Sequence, residues 1–255
     1  MLCGLLNVLF GPGRIVSVTK KGETKVNTYR KTAIAVGVLY IVGTVSGILS
    51  YVITGPFLNV PDYLERMPAN GSLLTIGALL VLTMGVALAL IPILIFPISR
   101  KHSEVLAIGY VVFRGALETV GYIAFAVSWL LGLTLSQAFV QAGAPNSSYF
   151  QVIGSLLVKS NIIGSFTTIV FILGALMFYF LLYGSKLVPR WISVWGLVAA
   201  IPYAAAGVLV ILGTINSTSS VGSVLQLPLA VQEMVLAVWL IAKGFNSQAI
   251  SAGGT

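Results

Sequence analysis

Six long apolar stretches alternate with short segments rich in Gly, Pro, Asn, Ser and basic residues: 32–54, 73–97, 105 to about 134, 162–184, 191–213 and 225–242. A helix needs about 20 consecutive apolar residues to cross a hydrocarbon core, and each stretch meets that length. None shows the period-two alternation of barrel strands, and in lipid a continuous apolar run satisfies its own backbone only as a helix. The pattern predicts an all-α fold, a polytopic transmembrane helix bundle of about six spans.

Composition agrees. Hydrophobic residues make up 58% of the 255 and charged residues only 8%, against about a quarter charged in soluble domains. A water-soluble fold would lack the polar surface to cover itself. The net charge of +8 would also suit nucleic acid, but its distribution argues otherwise. Of 14 Lys and Arg, 11 fall in alternate connections: Arg14, Lys20, Lys21, Lys25, Arg30 and Lys31 ahead of the first span, Arg100 and Lys101, Lys186 and Arg190, and Lys243. The opposite loops carry Arg66, with Lys159 near the mouth of the fourth span. Basic residues mark the cytoplasmic side, so both termini are expected there. The organisation predicted is a basic segment 1–31, a six-helix domain 32–243 and a short tail 244–255. Membrane lipids are the expected partners and nucleic acid is not. A plain bundle also leaves room for a membrane-protein partner or a second copy of the chain.

Smaller features refine this picture. Sequons at Asn70, Asn146 and Asn216 fall one in each outer connection, where chance sequons in Ser-rich and Asn-rich turns are also common. Residues 1–10 are apolar, too short to span and without a basic leader, and read as a retained cytoplasmic element lying on the membrane surface, with Cys3 as an inert thiol. Pro56, Pro61 and Pro68 punctuate an outer connection over 55–72. Residues 136–148 read as polar; Phe150, Ile153, Leu156 and Leu157 then recur at helical spacing, extending the fourth helix or lying in the interface. Trp191, Trp195 and Trp239 fit an inner aromatic belt. Gly43 and Gly47 allow close helix approach, first of all within the monomer. Pro92, Pro202 and Pro228 are expected to interrupt their spans.

One Cys and one His exclude an internal disulfide, a Cys/His zinc site and a bis-histidine haem. No Asp lies in any span, which removes an aspartate-rich Mg²⁺ site. No Ser/His pair lies within a span, the last span has no central lysine, and the sequence has no Walker loop. No cofactor is called for. His102 reads as a solvated residue of a basic turn.

The residues costliest to place in lipid are Arg114 and Glu118 in the third span and Glu233 in the sixth. At 1.5 Å of rise per residue, Arg114 lies about 14 Å from the inner edge of its span and Glu233 about 15 Å from the same edge. Glu118, four residues on, shares the Arg114 face about 6 Å further out. Tyr40 and Tyr203 fall at comparable depth and Gln232 adjoins Glu233. These six residues form a candidate midplane cluster, either a helix fastener or a ligand site.

Four stretches carry a family resemblance: 31–50 (KTAIAVGVLYIVGTVSGILS), 111–118 (VVFRGALE), 182–197 (LYGSKLVPRWISVWGL) and 227–245 (LPLAVQEMVLAVWLIAKGF). The chain after residue 30 resembles the membrane proteins grouped as domain of unknown function 4386. The resemblance implies about six helices, a prokaryotic plasma membrane and no established activity. It does not extend to the first 30 residues.

Three readings of function follow from the cluster. The first is a non-enzymatic protein that binds or moves a small amphipathic or lipid-like ligand beside Arg114, Glu118 and Glu233. The second is a membrane-embedded lipid- or terpenoid-modifying enzyme with Glu118 or Glu233 as acid, which requires that Arg114 be engaged elsewhere. The third is an accessory subunit of a larger complex. Spans one to three and four to six show no convincing internal similarity, which weakens active transport.

Overall fold

A computed structural model of the chain describes residues 18–143, 147–159, 162–216 and 219–252. Its side chains are described over 28–143, 148–158, 162–216 and 219–251. The readings for 1–10, Cys3, Asn146 and the Lys159 side chain lie outside these residues.

Among the described residues six helices are long and apolar enough to cross a membrane. The first is α1 (Val18–Leu58), followed by a short α2 (Tyr63–Ala69) and by α3 (Gly71–Ser99). The third span comprises α4 (Glu104–Tyr110), a π-helical segment (Val111–Leu117) and α5 (Glu118–Ala142). Next come α6 (Ser147–Gly154), a second π segment (Ser155–Lys159) and α7 (Ile162–Ser185). The chain finishes with α8 (Arg190–Ile211), α9 (Ser220–Ala242) and a small α10 (Ser247–Ala252). Helices that follow one another in sequence pack side by side, and the sixth span returns to pack on the first. The result is an up-and-down ring.

The expected spans are all present, but several boundaries move. Lys and Glu are good helix formers, so α1 begins well ahead of its apolar stretch. Its other end absorbs Pro56. The expected connection over 55–72 is therefore mostly helical, with α2 packed against α5 and Tyr63, Leu64 and Met67 buried. Residues 136–142 are helical too; the Ser136 hydroxyl, buried, donates to the Leu133 carbonyl of its own helix at 2.7 Å. The helix stops at Gly143, whose φ of 69° suits glycine. Helix resumes over 147–159, ahead of α7.

Pro92, Pro202 and Pro228 do not interrupt their spans, contrary to expectation. Each sits inside a continuous helix, which membrane helices tolerate. The irregularity lies instead at Val111–Leu117, where Glu118 N–H reaches back five residues to the Phe113 carbonyl.

The interior divides into two apolar regions. At the end bearing the basic loops, Tyr40, Ile91, Ile95, Tyr110, Phe178 and Leu240 pack together. At the opposite end Phe57, Leu64, Met67, Leu74 and Trp129 form a second cluster under α2. Outward-facing Ile48, Val52, Leu79, Val86 and Ile201 are exposed at positions that lipid would cover. Gly43 and Gly47 both face α3: a Cβ would meet Leu88 at 2.9 Å and Met84 at 2.7 Å respectively. They serve packing within the chain.

The basic end is tied by polar contacts across the ring. Arg30 of α1 donates to the Leu240 carbonyl at 2.9 Å and the Ile241 carbonyl at 2.6 Å, capping the last turn of α9. Lys101 reaches Tyr29 Oη at 3.2 Å, and Asn246 N–H bonds Leu187 O at 2.9 Å. At the far end Arg66 pairs with Asp62 at 2.7 Å, holding that exposed carboxyl below its usual pKa. There Asn70 donates its side-chain amide to the Arg66 carbonyl at 2.9 Å, while Asn216 is exposed after α8. His102 is half-buried, with no partner for Nε2, rather than fully solvated.

Candidate functional site

The wider π-helical turn presents Arg114 into the ring. Space for its backbone comes from α7, where a Cβ on Gly174 would approach Arg114 N to 3.0 Å. One guanidinium nitrogen, Nη1, donates to both oxygens of Glu118 at 2.9 and 3.0 Å. The other, Nη2, donates to Glu233 Oε1 at 3.0 Å. The guanidinium carbon lies 4.4 Å from the centre of the Phe171 ring, so the cation is stacked as well as bridged. Arg114 and Glu118 are 3% and 1% exposed, Glu233 15%.

The two carboxylates are not equivalent. Glu118 has both oxygens on Arg114 and takes a further hydrogen bond from the Tyr122 hydroxyl at 2.5 Å. Glu233 bonds Arg114 through Oε1 alone. With all three groups ionised, the triad carries a formal charge of one minus. Buried ion pairs contribute little net stability but are costly to break.

The remaining residues of the expected cluster separate into two groups. Tyr203 joins the triad's surroundings, its ring edge-on to Phe171 at a centroid distance of 4.9 Å. Tyr40 and Gln232 belong to a neighbouring layer. Tyr40 shares a hydrogen bond with Tyr110 at 3.2 Å, and Tyr110 stacks on Phe178 at 4.3 Å. Gln232 accepts from Tyr179 Oη at 2.6 Å and donates to the Ile192 carbonyl at 3.0 Å, away from Arg114. Adjacent residues of a helix point about 100° apart, which places Glu233 and Gln232 on different contacts. This tyrosine and glutamine layer closes the basic end of the site.

Sequence reasoning missed Tyr122, Phe171, Tyr110 and Tyr179. Tyr122 was within reach, four residues after Glu118 on the same face; the other three require knowledge of which helices adjoin.

On the other side of the triad lies a cavity of about 270 Å³ to which all six spans contribute. Gly43, Met84, Tyr122, Thr168, Tyr203 and Glu233 represent one span each. Its wall is largely apolar, with Glu233, Glu118 and Arg114 grouped at one place. It sits between the two apolar regions, where neither packs to completion. Among the described residues no three His, Cys, Asp or Glu side chains gather as metal ligands would.

No curated protein and no solved structure matches the chain. A family model described as domain of unknown function (DUF4386) matches residues 35–244, more than four fifths of the chain and every residue of the triad. The chain belongs to this family of multi-pass membrane proteins.

Proposed function

We propose that the protein binds a small amphipathic, lipid-like ligand in the six-walled cavity, with Glu233 as the polar anchor. The observation that carries the proposal is the inequality of the two carboxylates that line the cavity: Glu118 has both oxygens on Arg114 and a further bond from Tyr122, whereas Glu233 has one oxygen on Arg114. Arg114 is already bridged twice, so the ligand's polar end is a hydrogen-bond donor or a cation rather than an anion. An apolar wall with a few convergent polar groups is the usual form of a small-molecule site. The acid-catalysis alternative needs a carboxyl clear of Arg114, and both lie within about 3 Å of it. That arrangement favours a binder.

Dodecylamine, dodecanol and lauric acid test this as probes on the purified protein in mild detergent, with thermal stability as the readout. Dodecylamine is expected to raise Tm most and lauric acid least. Glu233→Gln should abolish the amine preference, and Gly164→Leu should remove all three responses by filling the cavity. The Gly164 substitution is tolerable because a Cβ there meets nothing closer than Phe125 at 3.6 Å. Equal responses in the wild type and both variants would refute the proposal.

A further inference from the structure

A second site lies at the basic end, outside the ring and away from the triad. The turn between α7 and α8 and the end of α9 enclose a pocket of about 450 Å³ lined by Lys186, Arg190, Lys243, Trp239 and Asn246. All three cations are exposed, and no carboxylate lines the pocket. It is continuous with a groove of about 410 Å³ running along α9 over Val231, Met234, Val235 and Val238, since Trp239 and Lys243 line both. Apart from Lys243 the groove is wholly apolar.

Two details suggest that the cations are held for a partner rather than for the fold. Lys186 adopts φ 55°, a left-handed conformation that glycine or asparagine takes at less cost. Arg190 occupies the first residue of α8, the helix end where a positive charge opposes the macrodipole. Arg190 stacks on Tyr183 at 5.0 Å and makes no ion pair among the described residues. The backbone beneath is fixed: Asn246 bonds Leu187 O at 2.9 Å and Lys186 O at 3.4 Å. Trp191 packs edge-on to Trp239 at 6.5 Å, and tryptophan is enriched where a membrane meets water.

We infer that this pocket and groove form a site for one anionic phospholipid of the leaflet facing the basic loops. Its phosphate is held by Lys186, Arg190 and Lys243 and one acyl chain lies along α9. A cluster of cations beside a lipid-facing groove matches the charge and shape of such a lipid. The site is independent of the ligand proposed for the cavity.

Native mass spectrometry of the delipidated protein with added dioleoylphosphatidylglycerol, dioleoylphosphatidylcholine or glycerol phosphate tests the inference. Phosphatidylglycerol is expected to bind at least about tenfold more than phosphatidylcholine. Lys186→Asn, which keeps the left-handed turn, together with Arg190→Gln and Lys243→Gln should erase that preference. Val235→Trp should weaken phosphatidylglycerol by obstructing the groove. Lys243→Gln alone, at an exposed position, serves if the triple variant aggregates, and should lower the preference severalfold. Arg100→Gln with Lys101→Gln, cations at the same end outside the pocket, should change nothing. Three results would overturn the inference: no preference between the lipids, equal loss from the Arg100 and Lys101 pair, or glycerol phosphate binding as well as the whole lipid.

Discussion

Replacing Arg114 with Met removes one charge and strands two. Glu118 would lose both guanidinium bonds and keep only Tyr122, and Glu233 would lose its one bond to the triad. Removing one partner of a buried ion pair costs about 3 to 5 kcal/mol, because an uncompensated charge remains. The loss of contact between the guanidinium and Phe171 adds up to about 2 kcal/mol. Removing all the partners together has a different consequence. The variant Arg114→Met, Glu118→Leu, Glu233→Leu, Tyr122→Phe leaves no charge and no unmatched hydroxyl, so only packing mismatch remains, about 1 to 2 kcal/mol in either direction. Reversible unfolding in mixed micelles of increasing dodecyl sulfate fraction, followed by tryptophan fluorescence, measures both. The single variant should unfold at a clearly lower dodecyl sulfate fraction, with the quadruple variant close to wild type. A quadruple variant less stable than Arg114→Met would refute the reasoning, because the triad would then act through shape rather than mutual charge compensation.

Glycine substitutions should divide by what a methyl group meets. Gly37→Ala brings a Cβ within 2.6 Å of the Ala237 carbonyl, backbone that cannot swing aside, and should cost about 1 to 3 kcal/mol in the same assay. Gly184→Ala meets nothing within 4 Å and should be neutral or stabilise by up to about 1 kcal/mol. His102 supplies a pH test: burial, reinforced by Lys101, holds its imidazole below the usual value. Its contribution is therefore complete above pH about 6.5, the unfolded value, and declines as pH falls toward the folded one. Thermal scans from pH 7.5 down to 5 should show that slope, and His102→Gln should flatten it.

The spans and the triad were legible in the sequence for one physical reason: helix rise is constant. Apolar length therefore counts crossings, and residue count from a span's edge gives depth, which was enough to pair Arg114 with Glu233. Helix ends were less legible because residues beyond the apolar run, such as 18–31, form helix without an apolar sequence to mark it. The short α2 was hidden by Pro61 ahead of it and Pro68 within it, which suggest a loop although the helix accommodates Pro68. Gln232 shows the limit of reasoning by depth, since its level was right and its direction was set by Tyr179 and Ile192 on neighbouring helices. The π-helical segment left no mark at all, as VVFRGAL has the composition of an ordinary apolar helix.

The local partnership of Arg114 with Glu118 bears on how the protein is made. Because the two lie four residues apart on one span, the third span carries its own counterion when it leaves the translocon and can partition into the bilayer as a neutral unit. Glu233 is synthesised 119 residues after Arg114. At about 5 to 20 residues per second this is an interval of roughly 6 to 24 s, during which the first three spans are in the bilayer without it. The sixth span then meets an arginine already in place, so its docking closes the ring and gives Glu233 its hydrogen-bond partner in the same step.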